Sequence, residues 1–401
     1  MKTRAFWAPI LVIACCVQTN ADPVVAPDIE TPLLPEALRQ LVPTAGPAFE
    51  PDPFVWGEYI LSPHFLDRFY YANGLQSEPG AKSNSYVDSV APGLLMDIGS
   101  HWTFDFTPTW TFYSSRRFHD TVDESLVLAG AWSYRDTDLQ FSQNYVTNHA
   151  PLVETGMQTY QQTYATILDV THHYTGQVSL EVAFDQNISF VSPPPDYYDW
   201  TVTEWLHYRF LSGIDVAGGV AEGYTLVHPG TDMDFFQPQA RISFPLGKKL
   251  SFDVHAGDEE REFLSHPASY LNSPIFGATA RYQPFDDTTV SLNADHQVST
   301  SFFVNQVTED TDWNVHLEQK ILQHFTLSGG AAYAKSRYLA ATVDTTAGRE
   351  DYTYSYDVRL STTFLRRGTL AGFYQYTQNW SNTPGFSFAS SQIGCEVGFK
   401  Y

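Results

Sequence analysis

Apolar and polar side chains alternate along most of the chain from about residue 56 onward. In residues 178–185, Val, Leu, Val and Phe alternate with Ser, Glu, Ala and Asp, and residues 393–401 again place an apolar side chain at every second position. Successive side chains of a β-strand point to opposite faces. The pattern therefore predicts strands with one apolar and one polar face.

Turn residues separate the predicted strands in two alternating ways. Tight turns are predicted at Gly99-Ser100, Asp136-Thr137, Thr175-Gly176, Ser212-Gly213, Gly247-Lys248, Phe285-Asp286, Leu322-Gln323 and Arg367-Gly368. Longer polar or proline-rich segments lie between them, for example at residues 76–83, 192–196, 258–269 and 342–350. Short periplasmic turns that alternate with longer external loops are typical of outer-membrane barrels.

We therefore predict an all-β fold, a transmembrane antiparallel up-and-down β-barrel of about 18 strands, with about 16 as the alternative. A soluble β-sandwich or β-solenoid would show the same alternation. Aromatic residues favour the membrane barrel, because they make up 15% of the chain and several lie near predicted turns or ends, where interfacial girdles are found. These residues are Trp102, Trp110, Trp132, Tyr134, Tyr208, Phe210, Tyr282 and Tyr401.

The start of the chain has the features of a secretory signal peptide. Two basic residues precede an apolar run that ends near Ala14, and Ala21 offers a cleavage site. The apolar run is too short to span a bilayer. The predicted organisation is a signal peptide at 1–21, a Pro-rich periplasmic linker at 22–55 and a barrel at 56–401. A lipobox-like segment before Cys15 is the alternative, with Cys15 lipidated.

Cleavage after Ala21 would change both the cysteine content and the charge balance. Cys395 would be the only cysteine left, which excludes an intrachain disulfide. Cleavage would also leave 20 of the 22 Lys and Arg residues against all 45 Asp and Glu residues. Nucleic acid is therefore not an expected partner, because binding to a phosphate backbone needs a basic surface.

The polar member of each alternation is expected to face the inside of the barrel. A barrel of this size leaves an aqueous channel, and acidic rings in a passage favour cations. The sequence predicts a channel for cations or neutral solutes; the alternative is that the charges pair along the wall and give little selectivity. The predicted lining consists of Asp105, Asp169, Glu181, Asp185, Asp215, Arg241, Asp253, Arg281, Asp295, Glu318, Asp357, Arg359 and Glu396, with Lys400 at the end.

Residues 258–262 form the densest run of charge, within a segment predicted to be an external loop. Its acids are Asp258, Glu259, Glu260 and Glu262. A solvated loop tip is the expected arrangement. The alternatives are recruitment of divalent cations that bridge lipopolysaccharide, and inward folding as a constriction.

The sequence contains no nucleophile motif and no phosphate-binding loop. The adjacent His172 and His173 would point to opposite faces of one strand, which prevents a shared site. We predict no enzymatic activity, and no catalytic, cofactor-binding or metal-binding residues. A hydrolase acting on lipids or peptides is the remaining enzymatic alternative.

Several features together resemble a known family. They are the short Pro-rich leader, the segment Tyr-Val-Asp-Ser-Val-Ala-Pro-Gly-Leu at 86–94, the repeated hairpins and the C-terminal Val-Gly-Phe-Lys-Tyr. Over roughly residues 56–401 the chain resembles the family described as putative β-barrel porin 2. Members of that family are often linked with exopolysaccharide export, so the resemblance implies periplasmic polysaccharide-export components as partners.

The last strand also resembles the signal read by the barrel-assembly machinery. Its apolar positions are Cys395, Val397, Phe399 and Tyr401. The expected partners are therefore this machinery together with outer-membrane lipid and lipopolysaccharide. The expected location is the bacterial outer membrane.

Three functions remain open from the sequence. A passive porin predicts an open lumen, and a structural or adhesion barrel predicts a lumen closed by inward loops. A conduit for a neutral to cationic polysaccharide predicts a wide but gated pore. A polyanionic substrate is disfavoured, because the predicted lining is acidic.

Overall fold

The computed structural model describes residues 54–400, except residues 194, 211–212, 266–267, 323, 343–344, 346 and 366. The predicted signal peptide at 1–21 and most of the predicted linker at 22–55 lie outside the described residues. Cys15 and Tyr401 lie outside them as well.

The regular elements of the described chain are β-strands. In chain order they are β1 (Phe54–Trp56), β2 (Tyr59–Glu78), β3 (Ala81–Ile98), β4 (Trp102–Tyr113), β5 (Thr121–Tyr134), β6 (Thr137–Asn148), β7 (Tyr160–His173), β8 (Val178–Ser192), β9 (Asp196–Phe210), β10 (Ile214–His228), β11 (Met233–Leu246), β12 (Leu250–Phe263), β13 (Ser269–Phe285), β14 (Thr288–Thr300), β15 (Gln306–Ile321), β16 (Phe325–Ala340), β17 (Glu350–Phe364), β18 (Gly368–Ser381) and β19 (Phe388–Lys400).

The 18 strands from β2 to β19 form a closed barrel. Each strand pairs antiparallel with the next, and β19 pairs back onto β2, from Lys400 opposite His64 to Ser391 opposite Asn73. The short β1 pairs with the first residues of β2. Closure satisfies the backbone hydrogen bonds that lipid cannot satisfy. The predicted fold class and the count of 18 strands are confirmed.

The connections alternate in length, as the turn pattern predicted. All eight predicted tight turns lie within two residues of a connection at the periplasmic end. One predicted external loop, at 76–83, is wrong: β2 and β3 continue to a turn of two residues, Pro79 and Gly80. The two strands stay paired there through register shifts after Ala72 and Gln76, which lengthen this hairpin beyond its neighbours.

A glycine is required at the first of these register shifts. Gly74 has a φ of +78°, and a Cβ at this position would collide with the carbonyl oxygen of Ala389 on the neighbouring β19. Only glycine combines this left-handed backbone with such a close approach. The bulge therefore depends on this residue.

The predicted external loop at 258–269 begins later than expected. Residues 258–262 lie in β12, so the prediction that Asp258, Glu259, Glu260 and Glu262 form a solvated loop tip is wrong. Glu259 is only 1% exposed. The strand extends beyond the apolar belt, where both of its faces can be polar. A charged segment can therefore continue the strand there.

The outer surface of the barrel is apolar between two bands of aromatic residues. On β19, Ile393, Val397 and Phe399 are 60%, 40% and 45% exposed, and Cys395 is exposed beside them. At the periplasmic end, the rings of Trp102 and Trp132 lie 4.6 Å apart. Such bands are the interfacial girdles of membrane barrels. The described part of the chain has no helix long and apolar enough to cross a membrane.

The buried apolar core lies at the external end of the barrel. Its members include Met233, Phe263, Val298 and Val307. They come from the outer ends of β11, β12, β14 and β15. A barrel of this size does not need a packed core to fill it, and the buried apolar side chains gather near the external mouth instead.

Candidate channel and external cap

The seam at which the barrel closes carries a network of charges on its inner wall. Glu396 of β19 is 5% exposed. It accepts a hydrogen bond from Nε of Arg359 at 2.8 Å, and its other carboxylate oxygen lies 3.4 Å from Nε of Arg68. The guanidinium of Arg68 also lies 4.0 Å from the ring centroid of Phe373, within the range of a cation–π interaction. The network joins β2, β17, β18 and β19.

Two more groups of paired charges lie elsewhere on the wall. Nε of Arg241 donates to Asp253 at 3.1 Å. On β9, His207 lies between two acids, with Nε2 3.0 Å from Glu181 and Nδ1 2.8 Å from Asp215. Some charged residues of the predicted lining therefore form ion pairs along the wall. This agrees with the alternative in which the wall charges pair and give little selectivity.

Two acids face each other on the neighbouring strands β14 and β15. Asp295 of β14 lies directly opposite Asp312 of β15, and both line a cavity of about 1060 Å³ together with Asp357. The imidazoles of His255 and His296 lie close enough for their charge to act on Asp295, whereas the like-charged Asp310 acts on both acids. The paired residues Asp253, Arg359 and Glu396 line the same cavity.

The remaining residues of the predicted lining are distributed around the wall. Asp105 accepts a hydrogen bond from Thr107 at 2.9 Å, and Asp169 accepts one from Thr171 at 3.2 Å. The other four lie at positions given by the strand registers, with Asp185 opposite Thr201, Arg281 opposite Ser291, Glu318 opposite Ser328 and Lys400 opposite His64. That these side chains line a conducting channel stays a prediction.

Several external connections contact one another at the mouth of the barrel, and we call this group the external cap. We define it by residues 149–159 between β6 and β7, residues 301–305 between β14 and β15, Arg349 before β17, and Phe386 before β19. The first two segments start from strands eight positions apart around the ring of 18, so they approach from nearly opposite walls.

Glu154 joins these two opposite segments. Its Oε1 accepts hydrogen bonds from the hydroxyl of Ser301 at 2.7 Å and from the backbone N–H of Phe302 at 2.8 Å. Arg349 donates from Nη1 to the backbone carbonyl of Glu154 at 2.7 Å. Glu154 of the segment 149–159 is therefore hydrogen-bonded both to the segment 301–305 and to Arg349 before β17.

Arg349 is enclosed by aromatic rings and by an acid. Its guanidinium lies 3.7 Å from the ring centroid of Phe386 and 4.5 Å from that of Tyr338. Nε and Nη2 bond to the two carboxylate oxygens of Asp351. Asp351 is therefore the ion-pair partner of Arg349, and the positive charge of Arg349 also acts on Glu154.

The hairpin of β14 and β15 bends into the barrel to reach this position. β14 pairs with β13 only as far as His296, whereas it remains paired with β15 to Thr300. Arg261 of β12 donates from Nη2 to the carbonyl of Val298 at 3.2 Å. Its Nε bonds to Glu259 at 2.6 Å. Glu259 and Arg261 belong to the charged run that was predicted to form a loop tip. In the structure they lie beside the outer end of β14 and support it.

Pattern reasoning missed several residues of this region. Arg68, His207 and Asp312 alternate with exposed apolar or aromatic neighbours in β2, β9 and β15, so the rule that found the other lining residues could have found them. Glu154 and Arg349 lie in connections, where no periodicity exists. Their proximity arises only when the barrel closes.

Fold and site together define the protein as a porin-like β-barrel of the bacterial outer membrane: a closed 18-strand ring, an apolar belt between aromatic girdles and a charged interior. Residues 232–401 match the model of the family described as Putative beta-barrel porin 2. The predicted resemblance is confirmed for that part of the chain. None of the curated proteins matches the sequence.

Solved structures of outer-membrane proteins are similar to this chain in fold. The crystal structure of Pseudomonas aeruginosa OccK2 (OpdF) has 10% sequence identity and a TM-score of 0.47, with 85% of this chain and 98% of that chain covered. The crystal structure of Acinetobacter baumannii OccAB3 also has 10% identity and a TM-score of 0.47, with 86% and 100% covered.

Proposed function

We propose that the barrel is a gated channel that passes cations and neutral solutes across the outer membrane. The observation that carries this proposal is the pair of facing acids, Asp295 and Asp312, in the cavity inside the barrel. Two adjacent carboxylates raise the local concentration of cations and repel anions. Neutral solutes meet no such barrier.

The external cap supports a gated channel over a permanently open one. Segments from opposite walls are hydrogen-bonded over the mouth, and apolar side chains pack beneath them. A passage of this kind has to open before solute can enter. A conduit for a neutral or cationic polysaccharide is the second candidate, because it too needs a mouth that stays closed between transport events.

A planar-bilayer recording under a KCl gradient tests the proposed selectivity. The Asp295→Asn/Asp312→Asn double variant is expected to lose at least about half of the wild-type cation preference, because it loses the local negative potential. Glu204→Gln is the matched control, since Glu204 lies on the outer face between Val202 and Leu206, which are 41% and 57% exposed. Equal selectivity of the double variant and the wild type would contradict an acidic selectivity region.

The structural or adhesion barrel is the alternative that the same cap supports. It predicts no conductance even when the cap is opened. A variant with residues 150–158 replaced by two glycines removes the segment that bonds to Ser301, Phe302 and Arg349. Steady conductance by this variant would exclude a purely structural role, whereas a folded but silent variant would favour it.

A further inference from the structure

We propose that the chain just before β1 lies inside the barrel, along the inner wall of the closing seam, where its acids Glu50 and Asp52 bind the basic side chains Lys400 and Arg68. Residues 48–53 themselves lie outside the described residues. The described strands around them supply the path and the charge that carry the proposal. Such an occupant goes beyond the proposed function, because it narrows the periplasmic half of the lumen.

β1 lies beside β2 on the same edge as β19. β2 is paired with β3 from its first residue onward, so β1 pairs with the opposite edge of β2, and that edge also pairs with β19. Phe54 of β1 lies opposite Leu61, and Lys400 of β19 lies opposite His64. Two positions beside β2 separate the two strands. The chain before Phe54 therefore has to leave the wall below the end of β19.

The two faces of the wall differ in what they offer this segment. Its sequence is Ala-Phe-Glu-Pro-Asp-Pro at 48–53. On the outer face it would meet the exposed side chains of Phe65, Val397 and Phe399, and its two carboxylates would face lipid, where charge is costly. On the inner face it would meet the water of a barrel of this width. The inner path is therefore favoured.

The inner wall at the seam carries the opposite charge. Lys400 faces inward, because its neighbour Phe399 is 45% exposed on the outer face. Arg68 and Arg359 share the single carboxylate of Glu396. Three bases therefore stand against one acid on this side of β2, in a wall whose predicted lining is otherwise mostly acidic. An acidic segment is complementary to this part of the wall.

The register of β1 sets the reach of the two acids. Phe54 lies opposite position 61 of β2, so an extended continuation brings Asp52 to the level of position 63 and Glu50 to the level of position 65. Lys400 lies between these two levels, opposite position 64. Arg68 is three positions beyond Glu50, about 10 Å along the strand, and its long side chain can bridge much of that distance.

Cross-linking in the folded full-length protein tests the path. Pro51→Cys is combined with Thr369→Cys on the inner face of β18 or with Leu370→Cys on its outer face, in a Cys395→Ser background. Leu370 is 47% exposed and is the matched control, because neighbouring strand residues point to opposite faces. A short bifunctional thiol reagent should link the inner pair at least about 5-fold more than the outer pair, as measured by mass spectrometry of the peptides. Equal linking, preferential outer linking or no inner linking would overturn the proposal.

Neutral variants test the role of charge. Glu50→Gln/Asp52→Asn should lower the yield of the inner cross-link by about 2-fold to 5-fold, as expected for partly exposed ion pairs. Asp28→Asn/Glu36→Gln removes two charges from the same segment farther from β1 and should leave the yield unchanged. An unchanged yield in the first variant would contradict binding to the basic seam.

Conductance separates this segment from the channel itself. In the variant with residues 150–158 replaced by two glycines, Glu50→Gln/Asp52→Asn should also raise the single-channel conductance, because the released segment no longer narrows the lumen. An unchanged conductance would contradict an occupant of the lumen. A folded barrel that never conducts would contradict the proposed function, and the cross-link would still decide the position of the segment.

Discussion

Glu396 links two arginines at the seam where the barrel closes. It lies 5% exposed between two arginines that come from strands at opposite ends of the sequence. Each arginine loses part of its hydration on the wall, and the shared carboxylate compensates for this loss. The seam of the barrel is therefore closed by charges on its inner face as well as by backbone hydrogen bonds.

Replacement of Glu396 by Gln should weaken this seam. Arg68 and Arg359 would remain half-buried without a counter-charge, which we expect to cost about 2 kcal/mol of unfolding free energy. Urea unfolding in lipid vesicles, followed by tryptophan fluorescence, measures the change. Glu318→Gln is the control, since Glu318 faces Ser328 rather than a base. Similar losses in both variants would contradict a specific role for the seam network.

At the level of single strands, the outer face of β9 contains an exception to the apolar belt. Glu204 is exposed between Val202 and Leu206, and it lies between two aromatic pairs, Tyr198 with Trp200 and Tyr208 with Phe210. These pairs mark the two membrane interfaces on this strand. An acid between them faces lipid, where a charge is costly.

Glu204→Leu should stabilise the barrel because it restores the apolar belt. We expect a gain on the order of 1 kcal/mol in the same unfolding assay, since acids on a lipid face cost less than lysine or arginine. Leucine also fits the exposed surface without new packing. A loss of stability in Glu204→Leu would show that the acid has a partner in the membrane and that the strand does not simply face lipid.

The hairpin of β14 and β15 is distinguished by the outer end of β14, which separates from β13 after His296 while β15 stays paired with β16. The buried Glu259 and Arg261 of β12 bond beneath it, and Val298 and Val307 pack with Met233 and Phe263. Buried charge and apolar packing therefore act together to hold the inward bend. From local composition alone, residues 258–262 would be predicted to form a polar external loop.

For the whole molecule, the sequence was sufficient to predict the wall of the barrel but not the external cap. Alternation has a period of two that survives in every spanning strand, so it predicted 18 strands, eight periplasmic turns and the outward position of Val397 and Phe399. The cap depends on contacts such as Glu154 with Ser301, separated by 147 residues. No local pattern encodes a contact at that distance, because it arises from ring closure and the inward bend of one hairpin.

The central claim is that an acidic lumen conducts once the external cap is open. The most direct test is efflux from vesicles that contain a cationic and an anionic fluorophore of similar size, through the variant with 150–158 replaced by two glycines. We predict faster release of the cation, because Asp295 and Asp312 repel anions. Release of both at the same rate, or of neither through a folded barrel, would contradict this account.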